Sequence, residues 1–299
     1  MLDSCGVLVL VLLFGMALIF PKGIMCMVMS SSPQNQPEQG VQHPEPNFHK
    51  VLERIGKTVL RPGGSKSTKK LQRWANLSQG DSVLELSAGL GKSGIMFAED
   101  YACKVLVTDI DENRLGEAAA AIKLKRLENL VNTKKVDMFR LEGGIGEEKK
   151  FDCTMTEASL THFPRKKKLQ VLKGVSKHSS QFLLHEICLK HEDVDIAANV
   201  KKDMEKVLGI GFFPETVDAW RNILKESCFP VEREFEVGDL ALLDLANILI
   251  DEGPLVCTKI LRNIITQPYL RSRILSTRKY ILAHKESLGY IIMRATKKL

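Results

Sequence analysis

Glycine and acidic residues at positions 81–94 have the types and spacing most suited to chemistry in this 299-residue chain. An apolar run ends at Glu85, and Gly89, Gly91 and Gly94 follow it. Glycines in such a turn let the backbone approach a ligand closely. A helix beginning just after Gly91 would point its positive N-terminus at that ligand. The stretch therefore predicts a buried strand, a ligand-binding turn and a helix.

A second acid, Asp109, stands about 20 residues beyond the turn, at the end of the next apolar run. The glycines match the pattern GxGxxG, which is a weak signal when it stands alone. A strand-end carboxylate at this distance can accept hydrogen bonds from both hydroxyls of a ribose. The alternative is an acid that caps the helix predicted from Glu112. Together, the turn and the acid favour a ligand that contains a nucleoside.

Glu85 separates the ligand classes that the glycine turn allows. A nucleotide triphosphatase would need glycine at the position of Leu86, so its phosphate loop does not fit. A dinucleotide oxidoreductase stays open on the glycines alone, but a carboxylate beside the pyrophosphate would repel it. A ligand with an ammonium and a sulfonium would instead be attracted. S-adenosylmethionine carries both of these groups.

Residues 85–91, with the sequence ELSAGLG, resemble the ExGxGxG turn of the class I S-adenosylmethionine-dependent methyltransferases. The resemblance covers about residues 50–299 and is greatest to the broad type 11 group. Later segments resemble the family's second to fifth strands and the following helix: 105–111, 136–138, 151–158, 182–186 and 217–226. The resemblance implies S-adenosyl-L-methionine as the cofactor and a small-molecule acceptor for the methyl group.

The resemblance also implies a role for each residue of the cofactor site. Glu85 would hold the methionine end, Asp109 the ribose and Asp137 the adenine, with Met138 packed on the adenine face. For Asp137 and Met138, a capping acid and a core methionine are the alternatives. Ser87 replaces the family's first glycine, and a serine can still make this turn if its φ stays negative. The implied set is Glu85, Ser87, Ala88, Gly89, Gly91, Asp109, Ile110, Asp137, Met138 and Glu157.

Three residues at or beyond predicted strand ends are candidates for catalysis on the acceptor side: Glu157, His162 and His185, with Glu186 beside them. A histidine or carboxylate there could deprotonate a hydroxyl, an amine or an acidic carbon, and Glu157 is the first choice. Orienting a substrate, capping a helix or pairing with a lysine are the alternatives. A non-catalytic S-adenosylmethionine-binding protein is the second hypothesis for function, and a nicotinamide-dependent oxidoreductase is the third.

Alternating apolar and amphipathic segments would position these residues. Strands are predicted at 82–86, 104–108, 134–137, 151–156, 180–187, 230–237 and 289–295. Helices are predicted at 92–100, 112–128, 165–177 and 215–227. This alternation predicts a parallel sheet with helices on both faces. With the resemblance, the predicted fold class is α/β, a Rossmann-like, seven-stranded, doubly wound sheet with an antiparallel last strand and a helical cap or insert.

Two segments are predicted to cover the acceptor site. Residues 50–75 precede the first strand, and an insert at about 240–287 is apolar and then basic, which indicates two or three helices. An apolar lid would suit a lipid-like or aromatic acceptor. A plain helical subdomain or a dimer surface is the alternative. The predicted methyltransferase domain, with this insert, occupies residues 48–299.

The net charge of +7 does not by itself predict a nucleic-acid partner. The lysines are dispersed and basic residues do not alternate with aromatic ones, so no nucleic acid is expected. The seven cysteines have irregular spacings without a CxxC pair, which predicts buried thiols rather than disulfides or a zinc site. His185, Glu186 and His191 lack the HExxH spacing, so no metal is expected.

Residues 1–29 are predicted to form an apolar targeting or membrane-anchor segment. The uncharged stretch 5–20 has a length between the apolar core of a signal peptide, about 7–15 residues, and a membrane span, about 20. If residues 5–28 are retained, the protein would be membrane-associated through them; otherwise it is expected to be cytoplasmic. Residues 30–47 are polar and predict a disordered linker. An ordinary soluble start at Met29 is the alternative.

Overall fold

Eight strands alternate with ten α-helices in residues 47–298, the part of the chain that the computed structural model describes. The strands are β1 (Ser82–Leu86), β2 (Lys104–Asp109), β3 (Val131–Lys135), β4 (Cys153–Glu157), β5 (Gln181–Leu189), β6 (Glu215–Thr216), β7 (Val231–Asp239) and β8 (Leu288–Thr296). The helices are α1 (Phe48–Ile55), α2 (Gly64–Ala75), α3 (Lys92–Tyr101), α4 (Glu112–Leu124), α5 (Leu141–Ile145), α6 (Arg165–His178), α7 (Val194–Leu208), α8 (Val217–Glu226), α9 (Leu245–Thr266) and α10 (Pro268–Ala283).

The strands form one sheet in the order β3-β2-β1-β4-β5-β8-β7, with the two-residue β6 beside β5. Strands β1 to β5 pair in parallel, whereas β8 runs antiparallel to β5 and to β7. The strand order reverses between β1 and β4, and a parallel sheet binds ligands beyond the carboxyl ends at such a point. The register places Glu85 opposite Met155, and Glu157 opposite His185. The predicted site residues therefore meet at one edge.

Alternating side chains of the central strands fill an apolar core on each face of the sheet. Leu84 and Leu184 pack with α5, α6 and α8 on one face. Val83 and Leu183 pack with α2, α3 and α4 on the other. Successive residues of a strand point to opposite faces, so Glu85 shares the face of Val83, beneath α3. This apolar pattern on both faces is typical of parallel strands covered by helices.

A third apolar core joins α1, α7, α9 and α10 into a cap over the end of β5 and the start of β8. Phe48 of α1, Ile260 of α9 and Leu270 of α10 are buried in this core. Helix α9 bends at Gly253, which has φ +75°, and Pro254 follows it. Proline removes a helical N–H and clashes with the preceding turn, which accounts for the bend. Helices from both ends of the described chain thus form one cap.

The predicted fold class is confirmed, with one additional strand. The additional strand is β6 (Glu215–Thr216), which lies where a helix was predicted to begin. Thr216 caps α8 instead of belonging to it. The third strand is Val131–Lys135 rather than 134–137, because Asp137 leaves the sheet and caps the 3₁₀ turn that follows it. Helix α7 had not been predicted.

The apolar segment 1–29 and the linker up to residue 46 lie outside the described residues. Within residues 47–298, no helix has the length and apolarity that a bilayer crossing requires. A transmembrane helix therefore has no support in the described chain. Within the same range, no three histidine, cysteine or acidic side chains gather as a metal site would require. Of the described cysteines, Cys228 is exposed and the other four are buried thiols, as predicted.

Candidate active site

The turn after β1 uses two glycines in the left-handed region of backbone space. Gly89 has φ +57° and Gly91 has φ +63°. A Cβ atom on Gly91 would lie 3.0 Å from Val107 Cγ1, so a larger residue would push the turn away from β2. The Gly89 N–H donates to Asp109 Oδ2 at 2.7 Å. The turn is therefore closely packed on β2, and the predicted ribose acid fixes its backbone.

Glu85 is a buried acid at the foot of this turn. Its residue exposure is 4%, and its Oε2 accepts the Gly94 N–H at 2.8 Å. A Cβ on Gly94 would approach that oxygen to 2.6 Å, so glycine makes room for the carboxyl group. Burial, followed by repulsion from Glu157, raises the pKa of Glu85 to about 8. Glu85 is thus protonated at neutral pH, and a cation placed beside it would favour the ionised form.

Ser87 has a left-handed backbone with φ +50°, so the turn is made without the negative φ that would suit a serine. Leu86 ends β1, and the Ala88 N–H already donates to Thr108 O at 2.9 Å, which leaves Ser87 to reverse the chain direction. Ala158, the residue after β4, is also left-handed at φ +53°. A non-glycine residue in this region carries a strain of about 1–2 kcal/mol. Strain of this kind gathers at functional sites, and both residues line the same cavity.

Replacing Ser87 with Val is expected to lower the free energy of unfolding by about 2 kcal/mol, because a β-branched residue fits the left-handed region worst. Ser87→Gly removes the same hydroxyl but relieves the strain, and should leave stability unchanged or raise it by up to about 1 kcal/mol. Urea unfolding of both variants measures the difference. Equal stabilities would mean that position 87 carries no left-handed strain.

Asp109 and Ile110 stand together at the end of β2. Asp109 is 9% exposed; besides the Gly89 N–H it accepts the Asp111 N–H at 3.0 Å. An ionised carboxyl group has about four lone-pair positions, so it can accept two further hydrogen bonds. Ile110 is 66% exposed and offers an uncovered apolar surface next to that acid. The pair can contact hydroxyl groups and a flat apolar ring at once.

Asp137 and Met138 lie close to the turn, on the far side of Ser87. The Asp137 Oδ1 accepts the Phe139 N–H at 2.9 Å and so caps the 3₁₀ turn. Met138 is buried, and its Sδ lies 3.4 Å from Ser87 Oγ. These contacts match the capping acid and core methionine that were considered as alternatives. The adenine contacts of both residues stay predictions.

Glu157, at the end of β4, is the centre of a buried polar network. It accepts the hydroxyl of Thr68 at 2.6 Å, His185 Nδ1–H at 2.7 Å and the hydroxyl of Ser93, and lies 3.2 Å from Arg61 Nε. Burial disfavours the ionised form of Glu157. The charge of Arg61, followed by His185 and Ser93, favours that form more strongly, so the pKa of Glu157 is lowered to about 2. Glu157 is therefore an ionised anchor, and a role as catalytic base stays a prediction.

The two histidines predicted for catalysis are both engaged in hydrogen bonds. His185 is fully buried; its Nδ1–H donates to Glu157 and its Nε2 accepts the Gly63 N–H at 3.0 Å. His162 is half-buried, and its Nδ1–H donates to Gly211 O at 2.9 Å. Neither ring belongs to the described wall of the cavity beside the turn. Catalytic roles for the two rings likewise stay predictions.

Glu186 also serves the backbone. Its carboxylate accepts the N–H groups of residues 159–161 and the Thr161 hydroxyl, at distances of 2.8–3.1 Å. A fully buried carboxylate needs such donors to offset its lost hydration. Glu186 therefore fixes the 3₁₀ turn after β4.

A cavity of about 430 Å³ opens beside the glycine turn. Its wall is formed by residues within 49–61, 85–93 and 111–117, with Glu157, Ala158 and Lys259. Pockets for ligands of this size class span about 300–1,000 Å³. Both predicted covers contribute to the wall, since 49–61 precedes β1 and Lys259 belongs to the insert. Asp109 does not itself line the cavity, but it accepts the N–H of Gly89, which does.

Solved structures with a similar fold include a SAM-dependent methyltransferase of Thiobacillus denitrificans in complex with S-adenosyl-L-homocysteine. Its TM-score is 0.62 at 14% identity, over 86% of this chain and all of that one. A SAM-dependent methyltransferase of Geobacter sulfurreducens, also with S-adenosyl-L-homocysteine, gives a TM-score of 0.61 at 12% identity, over 84% and 99% of the two chains. These similarities concern the fold.

Sequence comparison gives the family. A family model of a methyltransferase domain matches residues 83–180, which run from β1 to the start of β5. An uncharacterized protein of Haemophilus influenzae is 32% identical over 218 residues, covering 72% of this chain and 84% of that protein. The chain belongs to the class I S-adenosylmethionine-dependent methyltransferases. The family and S-adenosylmethionine as its cofactor, both predicted from the sequence, are confirmed.

Two acids of α9 fasten the insert of this methyltransferase to the chain before β1. Glu252 accepts the N–H groups of Thr58 and Val59, each at 2.8 Å, and Asp251 accepts the Ser65 N–H at 2.8 Å. The apolar side chains of the insert instead pack with α1 in the cap core. The hydrogen bonds from the insert to this wall are polar, whereas Leu60 of the wall packs against the apolar cap core. The lipid-like or aromatic acceptor stays a prediction.

Several residues of the cavity wall in this methyltransferase were missed from the sequence: His49, Lys57, Arg61, Lys92 and Lys259. Isolated basic residues usually lie on solvated faces, so their types gave no local signal. The turn at 61–64 is the feature that could have drawn attention to Arg61. Burial, followed by the charges of His162 and Arg114, lowers the pKa of His49 to about 4, so this ring is neutral at pH 7.

Proposed function

We propose that this protein transfers a methyl group from S-adenosyl-L-methionine to a small-molecule acceptor held in the cavity beside the glycine turn. The observation that carries the proposal is the buried carboxyl group of Glu85 at the foot of the turn, with Asp109 on the neighbouring strand. The carboxyl group of Glu85 suits the cationic methionine end of the cofactor, and that of Asp109 suits the two hydroxyls of its ribose. The cofactor needs both at the carboxyl edge of the sheet.

The residues present fit this cofactor. Gly89 and Gly91 carry no side chain, so a ligand can approach the backbone of the turn closely. Glu85 would hold the ammonium of the methionine end, and Asp109 the ribose hydroxyls. Ile110, Asp137 and Met138 would surround the adenine. These assignments follow the donors, acceptors and apolar surface that each residue offers.

When bound, S-adenosylmethionine supplies a methyl group on a positively charged sulfur, which a nucleophile displaces in line. The chain contributes placement, and positioning of reacting groups accounts for much of the barrier reduction in such reactions. Glu157 pairs with Arg61 of the cavity wall, and His185 accepts the N–H of Gly63, two residues further along. We therefore propose that they act by positioning this wall rather than by accepting a proton.

Asp109→Asn is expected to weaken binding of S-adenosylhomocysteine by about 10–100-fold, because it removes the charge from two hydrogen bonds to ribose hydroxyls. Titration calorimetry measures the affinity, with micromolar binding expected for the wild type. Asp100→Asn, an exposed acid at the end of α3, is the matched control and should bind like the wild type. Unchanged affinity of Asp109→Asn would remove Asp109 from the cofactor site.

Turnover separates the enzyme from a protein that binds the cofactor without catalysis. Neither Glu157 nor His185 has an uncommitted basic atom, which keeps the non-catalytic alternative in view. The protein is incubated with S-adenosylmethionine and fractions of a small-molecule extract, and formation of S-adenosylhomocysteine is followed. We expect at least one fraction to support turnover. Binding of the cofactor without turnover in any fraction would favour the alternative.

A further inference from the structure

Two lysines meet at the cap side of the cavity wall, on either side of Thr58. Lys92 is the first residue of α3 and follows Gly91 directly. Its Nζ donates to Thr58 Oγ1 at 2.6 Å, and no carboxylate of the described chain lies within ion-pair distance of it. The lysine is half-buried, and loss of hydration lowers its pKa. Its positive charge is therefore poorly compensated.

Lys57 is more deeply buried, with 2% of the residue exposed. Within residues 47–298, its Nζ has no acceptor within hydrogen-bond distance. The Glu252 Oε1 lies 3.6 Å away, an ion pair longer than a hydrogen bond, and that carboxylate already accepts from Thr58 and Val59. A buried ammonium that makes no hydrogen bond is costly and needs an explanation. A ligand that supplies oxygen atoms would provide one.

Two carboxylates of α9, Glu252 and Asp251, attract both lysines, but Glu252 already accepts hydrogen bonds from Thr58 and Val59, and Asp251 accepts one from Ser65. Arg61 is paired with Glu157, and Lys259 adds a further cation at the exposed edge of the wall. With the cofactor bound, Glu85 would be paired with the ammonium of the methionine end, so that acid would not offset the lysines. The N-terminus of α3, which Lys92 begins, adds the positive end of a helix dipole.

We propose that Lys57 and Lys92, which flank Thr58, bind an anionic group of the acceptor, a carboxylate or a phosphate, and so hold the acceptor beside the glycine turn. The inference rests on the proposed function, because it names the acceptor class of the same cavity. Both ammonium groups would donate to the anion, and Thr58 would place them. The proposal predicts acidic small molecules as substrates.

The test uses the full chain saturated with S-adenosylhomocysteine, titrated with inorganic phosphate and, separately, with malonate. We expect millimolar binding of at least one anion to the wild type. Lys57→Met and Lys92→Met should each weaken it at least about tenfold, because each removes a charged donor. Lys104→Met, an exposed lysine at the opposite end of β2, should bind as the wild type does. Lys92→Met keeps the test decisive if Lys57→Met fails to fold.

The cofactor's own carboxylate is the other anion that these lysines could bind, and the same experiment separates the two sources. The proposal requires that Lys92→Met and Lys57→Met change the affinity for S-adenosylhomocysteine less than about threefold. Loss of that affinity in both variants would assign the lysines to the cofactor. Cofactor binding without anion binding would overturn this inference alone. No binding of S-adenosylhomocysteine to the wild type would overturn the proposed function, and this inference with it.

Discussion

Glu85→Gln is expected to stabilise the cofactor-free protein at alkaline pH and to weaken cofactor binding at least about 100-fold. Glutamine keeps an acceptor for the Gly94 N–H but carries no charge. The binding loss follows because the cofactor's buried cationic group would lose its counter-charge, a change of about 3–5 kcal/mol in buried pairs. The two effects have opposite signs, which a residue with a purely structural role would not produce.

The pH dependence of the Glu85→Gln effect follows from the raised pKa of Glu85. In the unfolded chain this carboxyl ionises above about pH 4.5, whereas in the folded protein its pKa is about 8. Between these values the folded state binds the extra proton, so the free energy of unfolding of the wild type falls as pH rises from 4.5 to 8. At about 1.4 kcal/mol per pKa unit, the variant should be more stable by roughly 3–5 kcal/mol above pH 8 and equal below pH 4.5.

Urea unfolding of Glu85→Gln and wild type between pH 5 and pH 9 measures the stability effect, and calorimetry with S-adenosylhomocysteine measures the binding effect. A stability difference that does not grow with pH would show that the wild-type carboxyl ionises normally in the folded protein. Wild-type affinity in the variant would show that Glu85 only holds the backbone of α3.

Glu157→Gln is expected to lower the free energy of unfolding by about 3–5 kcal/mol at pH 7, because it leaves the buried Arg61 guanidinium without its counter-charge. The lowered pKa of Glu157 means that its contribution is present above about pH 4.5 and is lost as pH falls through about 2. The difference between variant and wild type should therefore shrink below pH 4.5.

Thermal unfolding of Glu157→Gln at pH 7 and pH 3 tests this expectation. Glu128→Gln, at an exposed position outside the cavity wall, serves as the control and should unfold like the wild type at both values. A stability difference of the same size at pH 3 would show that the ionised carboxylate of Glu157 does not stabilise the buried Arg61 guanidinium. A loss of activity without loss of stability would instead support Glu157 as a catalytic base.

Local patterns in the sequence were sufficient for most of the strands and for the glycine turn. The apolar runs that end at Glu85 and Asp109, and the glycines between them, are close in sequence, so their spacing alone indicates the turn. The third strand was displaced because it is polar and lies at the edge of the sheet, where little apolar burial defines its register.

The acceptor side could not be predicted because its contacts join distant parts of the chain. Glu157 accepts a hydrogen bond from Thr68, which is 89 positions away in the sequence. The carboxylate nearest to Lys57 is that of Glu252, which belongs to α9. A glutamate in a sequence does not reveal whether its donors are present. The left-handed φ of Ser87 likewise follows from the tight reversal after β1, and the residue type alone favours a negative φ.

The contact between Thr58 and Glu252 spans 194 positions. Contacts of such separation form late in folding, because the intervening chain must be ordered before its ends can meet. During synthesis residues 49–61 and the strands from β1 to β5 emerge well before α9, so the glycine turn can assemble before Glu252 fastens Thr58 and Val59 of the cavity wall. The turn would then be complete first, and the cavity beside it would take its final shape only when α9 reaches the loop after α1.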